Sequence, residues 1–187
     1  MTDSQEAEPA RRDFLVLATG AMGAVGAAGV AWPLIAQMNP DASALALAST
    51  EVDVSSMEPG QSIRVMWRGK PVFVRFRTDE EVEAARAVSI TELPDPDARN
   101  ANSDGEATDE NRAVPGREAW LVMVGVCTHL GCIPIGDVGN NGDYGGWFCP
   151  CHGSHYDTAG RIRKGPAPEN LPIPPFEFIS DSVLRIG

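Results

Sequence analysis

Three changes of hydrophobic pattern divide the chain. Phe14 to Ala36 is a 23-residue run without a charge, with Thr19 as its only hydroxyl. As a helix rising ~1.5 Å per residue it reaches roughly 34 Å, enough to cross a ~30 Å hydrocarbon layer. A single transmembrane helix is therefore expected over residues 13–38. Gly20, Gly23, Gly26 and Gly29 recur every third residue and would leave a shallow groove for a neighbouring helix. Asn39 to Thr50 is small-residue-rich and only weakly apolar. It reads as a linker over 39–50, or as a marginal helix favoured by alanine and leucine and restrained by Pro40 and the serines.

From residue 51 the pattern becomes short, β-branched and aromatic. Ile63–Arg68 and Val72–Arg77 flank Gly69-Lys70 and predict a hairpin. Thr78-Asp79-Glu80-Glu81 has the form of a capping box opening a short helix to about Val88. Asp95 to Glu118 is polar and rich in Asn, Asp, Gly and Pro, which predicts a long surface loop or insertion with no assignable function. Trp120–Val126 is a buried-strand candidate, and Val183–Ile186 a closing strand. There is no internal repeat and no phosphate-binding loop.

With 187 residues, the chain has room for one anchor and one soluble domain over 51–187, long enough for its own core. The net charge of −11 excludes the basic face that nucleic-acid binding requires. The acidity is local: residues 79–118 hold twelve acids and four arginines, which reads first as a solvated surface. Arg11 and Arg12 precede the apolar run, so residues 1–12 should stay cytoplasmic and the soluble domain should lie across the membrane. A cleaved secretory signal is the competing reading, but the run is longer than a typical signal core.

All four cysteines and all three histidines lie between Cys127 and His155. They form two boxes, Cys127-Thr128-His129-Leu130-Gly131-Cys132 and Cys149-Pro150-Cys151-His152-Gly153-Ser154-His155-Tyr156. A Cys-x-His and a Cys-x-x-His offer two thiolates and two imidazoles, with two cysteines left over at matching places. That donor set suits a tetrahedral structural zinc. It equally suits a two-iron, two-sulfide cluster in which two histidines replace two cysteines on one iron. Zinc fingers usually pair like with like, whereas here each loop gives one sulfur and one nitrogen. In the mixed cluster two neutral imidazoles remove two negative charges, raising the potential from about −400 mV to as high as roughly +300 mV.

The two boxes resemble those of the Rieske iron–sulfur subunit of cytochrome bc1 complexes, and no ligand position departs from the pattern. The resemblance extends to Arg11-Arg12-Asp13-Phe14-Leu15, which is similar to a twin-arginine export signal, and to Gly165-Pro166-Ala167-Pro168. It implies a mostly β soluble head, with antiparallel sheets and an inserted cluster-binding subdomain at about 125–171, carried on a single N-terminal transmembrane α-helix. It also implies one Rieske-type [2Fe–2S] cluster held by Cys127, His129, Cys149 and His152, and a disulfide between Cys132 and Cys151. Ser154 and Tyr156 match hydroxyls that tune the cluster, and Leu130 matches an exposed position that docks near the quinone pocket. Gly165, Pro166, Ala167 and Pro168 match a stiff loop shielding the cluster, while 39–50 matches the tether on which the head swings. His152 matches the histidine that hydrogen-bonds quinol and accepts its proton. The implied partners are ubiquinol, cytochrome b and cytochrome c1 in a dimeric inner-membrane complex with the head in the periplasm, where a disulfide persists. Three other readings use the same residues: a Rieske subunit of another periplasmic oxidoreductase such as an arsenite oxidase, a zinc-stabilised membrane-anchored interaction module, and a variant paired with a b6f complex. His155 is expected to be structural or at the surface.

Overall fold

The computed structural model describes residues 11–41, 48–136 and 142–187. The tether expectation therefore falls partly outside the described residues, as do residues 137–141 between the two boxes. The chain separates into two units, Met1–Leu45 and Ala46–Gly187.

The first unit contains helix α1, Arg11–Ala36, which is apolar enough to cross a membrane by length and composition. It starts at the twin arginine and stops two residues before the expected end at 38. Pro33 lies in its last turn, where the missing N–H removes one hydrogen bond to the preceding turn, and Pro40 follows soon after the helix ends.

Among the described residues, the second unit forms three antiparallel three-stranded sheets. In chain order its strands are β1 Thr50–Asp53, β2 Ser62–Trp67, β3 Lys70–Phe76, β4 Trp120–Val124, β5 Gly145–Cys149, β6 Ser154–Asp157, β7 Ile162–Lys164, β8 Phe176–Phe178 and β9 Val183–Ile186. The sheets are ordered β1-β9-β8, β2-β3-β4 and β5-β6-β7.

The middle sheet separates two cores through the two-residue period of its strands. In β3 and β4, Val72, Val74, Val122 and Val124 pack with Val52, Leu184 and Ile186. Phe73, Leu121 and Met123 point the other way, into a core with Trp147, Tyr156, Ile162, Cys127 and Cys149. The register Phe73↔Met123 and Val74↔Val122 keeps like faces together. One face of the middle sheet thus supports the β1-β9-β8 base, and the other supports the lobe carrying both cysteine boxes.

The hairpin between β2 and β3 is present, but its turn is Arg68-Gly69, one residue earlier than expected, with Lys70 paired to Trp67. Both turn residues have positive φ, 48° and 74°, the form whose twist matches the flanking strands. The capping box forms in full at helix α2, Asp79–Arg86: Thr78 accepts from the Glu81 N–H, and Glu81 accepts from the Thr78 N–H. The helix ends at Arg86, two residues short of the expected Val88.

The polar stretch 95–118 lies at the surface over most of its length, as its composition suggests, but it is anchored inward at particular residues. Asp95, Ala98, Ala107, Asp109, Arg112, Ala113 and Val114 are buried. Arg77 and Asp109 form an ion pair at 2.5 Å, both side chains fully enclosed. The buried guanidinium of Arg112 donates to the carbonyls of Ala98, Ala159 and Leu171. Burial pulls the Arg112 pKa down to about 10. These polar groups find partners far along the chain, so the segment also serves as a strut between the middle sheet and the lobe.

Candidate metal centre

Strand β4 runs directly into the first box, and the second box forms the turn between β5 and β6. The two loops are closed by the same device. The Gly131 N–H donates to the Cys127 carbonyl at 3.0 Å, and the Gly153 N–H donates to the Cys149 carbonyl at 3.0 Å. Each glycine lies four residues after its cysteine in left-handed backbone, with φ of 83° and 77°, where other residues are strained. This explains the glycine in each box.

The loops place the sequence-marked side chains in two layers. Cys127 and Cys149 are free thiols buried beneath the surface. His152 is exposed and His129 half-buried, their rings meeting edge to face with centroids 4.7 Å apart. Cys132 and Cys151 are joined by a disulfide that ties one loop to the other. The sulfurs of Cys132, Cys149 and Cys151 lie within 4.8 Å of one another, but the bonded pair offers no thiolate. The unbonded donors are thus two thiols inside and two imidazoles outside.

Burial pushes both free thiols up. At Cys127 this is outweighed by hydrogen bonds from the Tyr156 hydroxyl, the His129 backbone, Cys149 and Ser154, so its pKa lies below the ordinary thiol range. Cys149 stays above that range, from burial and from facing Cys127. The Tyr156 hydroxyl donates to the Cys127 sulfur at 3.2 Å. Burial and then Cys127 raise the phenol pKa, so Tyr156 keeps the proton it donates. Ser154 is buried, and its oxygen accepts the Ala167 N–H at 3.2 Å.

Gly165-Pro166-Ala167-Pro168 packs on the second loop. A Cβ on Gly165 would stand 2.5 Å from the Gly153 carbonyl oxygen, so only glycine permits this approach. Just beyond it, the Thr128 hydroxyl donates to the Glu169 carbonyl at 2.7 Å, joining the segment to the first loop. Leu130 is 71% exposed at the tip, with Ile133 and Ile135 also exposed on the same loop. His155 is half-buried beside Phe148 and accepts the Asp143 N–H. Thr128, Asn170, Asp95 and Arg112 were not singled out by sequence reasoning. Nothing in their spacing marks them, because each acts through a backbone partner distant in sequence.

These residues fit a two-iron, two-sulfide cluster better than one ion. A single tetrahedral zinc at about 2.0–2.3 Å from each ligand would bring all four donor atoms within roughly 4 Å of one another. Among the described residues, no three of Cys127, His129, Cys149 and His152 bring their ligand atoms within 4.8 Å. Thiols on one side and imidazoles on the other are what a cluster with one sulfur-held and one nitrogen-held iron requires.

Stacked antiparallel sheets presenting two such loops define a Rieske iron–sulfur protein. Comparison with known proteins agrees: residues 87–175 match the Rieske [2Fe-2S] domain family, and residues 1–41 match the TAT signal family of the ubiquinol–cytochrome c reductase Fe-S subunit. The ubiquinol-cytochrome c reductase iron-sulfur subunit of Cereibacter sphaeroides is 57% identical over 189 residues, covering 100% of both chains. That of Rhodospirillum rubrum is 59% identical over 182 residues, covering 96% of this chain and 93% of its own. That of Bradyrhizobium diazoefficiens is 53% identical over 189 residues, covering 100% of both. A solved chain from a hyperthermophilic respiratory Complex III is 30% identical and covers 90% of this chain and 98% of its own, with a TM-score of 0.49. This chain belongs to the ubiquinol–cytochrome c reductase iron–sulfur subunit family.

Proposed function

We propose that this chain is the one-electron carrier of a quinol–cytochrome c reductase. It oxidises ubiquinol at a quinol site in cytochrome b and delivers the electron to cytochrome c1 by movement of the head. The observation that supports this reading most strongly is the two-layer donor set, with buried Cys127 and Cys149 beneath outward-facing His129 and His152. Cys127 and Cys149 would hold the inner iron, and His129 and His152 the outer. When bound, the cluster supplies reversible one-electron chemistry at a potential raised by its imidazole ligands.

The chain's own residues supply the rest. His152, exposed at the tip, accepts the hydrogen bond and then the proton of quinol on its free ring nitrogen. Leu130, exposed beside it, enters the apolar mouth of the quinone pocket. The Tyr156 proton stabilises negative charge on the Cys127 sulfur, and Ser154 donates a second hydrogen bond to the cluster; both favour the reduced state. The Cys132–Cys151 disulfide holds the loops together, and Gly165, Pro166, Ala167 and Pro168 keep water from the sulfur side.

The domain plan follows: residues 1–12 cytoplasmic, 13–38 spanning the inner membrane, 39–50 a tether, and 51–187 a periplasmic head with its cluster-binding subdomain at about 125–171. The assembly is a dimer, as two quinol oxidation units sharing one membrane complex. The test is low-temperature electron paramagnetic resonance of membranes carrying the full chain with its partners. Reduction by ascorbate alone should give a rhombic signal whose line shape shifts when a quinone-site inhibitor is added. A protein with no signal and stoichiometric zinc would overturn the reading.

A further inference from the structure

We propose that Asn170, clasped to Asp95, is a positioning residue that holds the Ala167 N–H against Ser154 and thereby aims the Ser154 proton at the cluster. The inference rests on the reading of Ser154 as a hydrogen-bond donor to the cluster.

The Asn170 side chain is fully buried and has every polar atom engaged. Its oxygen accepts the Ile162 N–H at 2.8 Å. Its amide nitrogen donates to the carbonyls of Asp95 at 3.0 Å and Asp97 at 2.8 Å. Its backbone N–H donates to the Asp95 carboxylate at 2.9 Å. That carboxylate is itself fixed by Arg99 at 3.0 Å. Asn170 is thus a rivet joining the 95–99 strut to β7 and, together with the Thr128 bonds to Glu169, anchoring the chain just after Ala167.

The consequence appears three residues upstream. A serine hydroxyl has one proton and two lone pairs. The Ala167 N–H occupies a lone pair of Ser154 at 3.2 Å, so the serine proton must point away from Ala167. Ser154 is itself paired in register with Cys149, one of the two buried thiols of the site. If the loop slides, the Ser154 oxygen loses its fixed donor and its proton can rotate to other acceptors. The Tyr156 hydroxyl reaches Cys127 from β6 through a hydrogen bond of its own.

The test is a double-mutant cycle on the full chain in its membrane complex, read as the midpoint potential and the resonance line shape, not turnover. Ser154→Ala should lower the potential. Asn170→Ser should lower it in the same direction, by at least half of the Ser154→Ala shift. In the double variant, Asn170→Ser should add no further shift, because the proton it aims is gone. Additive shifts, or an unchanged potential in Asn170→Ser, would overturn the proposal. Loss of the cluster from Asn170→Ser would also overturn it, since the residue would then be purely structural. An unchanged potential in Ser154→Ala would instead overturn the role assigned to Ser154, and is thereby distinguishable.

Discussion

The base and the lobe of the head are held together by different forces. In the base, β1, β9 and the outer face of the middle sheet meet through Val52, Val72, Val74, Val122, Leu184 and Ile186, all buried and apolar. In the lobe, apolar packing is supplemented by a disulfide, by the enclosed guanidiniums of Arg112 and Arg161, and by side chains such as Asn170 that spend every polar atom on backbone. The difference has a physical origin. Hydrophobic burial is non-directional and gives a stable layer, whereas a loop-built site needs directional bonds to fix particular atoms. Stability resides in both regions, but positional accuracy around the thiols is concentrated in the lobe.

The comparison can be broken most forcefully at Arg112. Arg112→Met fills much of the same space but strips the donors from the Ala98, Ala159 and Leu171 carbonyls. Leaving several buried acceptors unpaired should cost at least about 3 kcal/mol in chemical unfolding, together with loss of iron. A cost under about 1 kcal/mol would mean the strut is dispensable. Next comes the covalent tie. Replacing Cys132 and Cys151 together with serine should cost about 3 kcal/mol and loosen iron retention; full retention at the wild-type melting temperature would refute the clamp.

A base mutation sharpens the contrast. Ile186→Val should cost about 1 kcal/mol in stability yet leave the midpoint potential where it was, because nothing directional is lost. A shifted potential there would show that the two regions are not separable. The smallest effect is in acid. Burial alone would push the Asp95 carboxyl up, but hydrogen bonds from Arg99, Asn170 and Asp97 outweigh it and hold the group below the ordinary range. A carboxyl depressed in the folded state stabilises above its unfolded value near ~4 and loses that contribution as pH falls through its folded value. Wild type should therefore lose more stability below about pH 4 than Asp95→Asn does, as thermal melts across that range would report.

The base was partly legible in the sequence: strands at 63–68, 72–77, 120–126 and 183–186 were expected, whereas β1 and β8 were not. The alternation in Val72–Phe76 and Leu121–Val124 marks two opposed faces, and the Thr78 capping box forms as spelled. The hairpin was legible too, although its turn slips by one residue because Arg68 adopts the left-handed conformation together with Gly69. The two boxes announced their chemistry through residue type and spacing. The inward anchors of residues 95–118 were missed for a definite reason. Arg112 binds carbonyls 47 and 59 residues away, and Asn170 binds Asp95 75 residues away. Composition and periodicity report on neighbours within a turn or a strand, so a polar segment buried by distant partners has the same local signature as one in water.

The central claim is that the imidazoles of His129 and His152 face outward and couple proton to electron, while the thiols lie beneath. The most direct test is the midpoint potential of the full chain in its membrane complex, followed from about pH 6 to about pH 10. An electron taken up together with a proton on an imidazole makes the potential fall as pH rises, so the potential should be lower at the alkaline end of the range than at the acid end. A potential that stays level across the whole range would contradict the account.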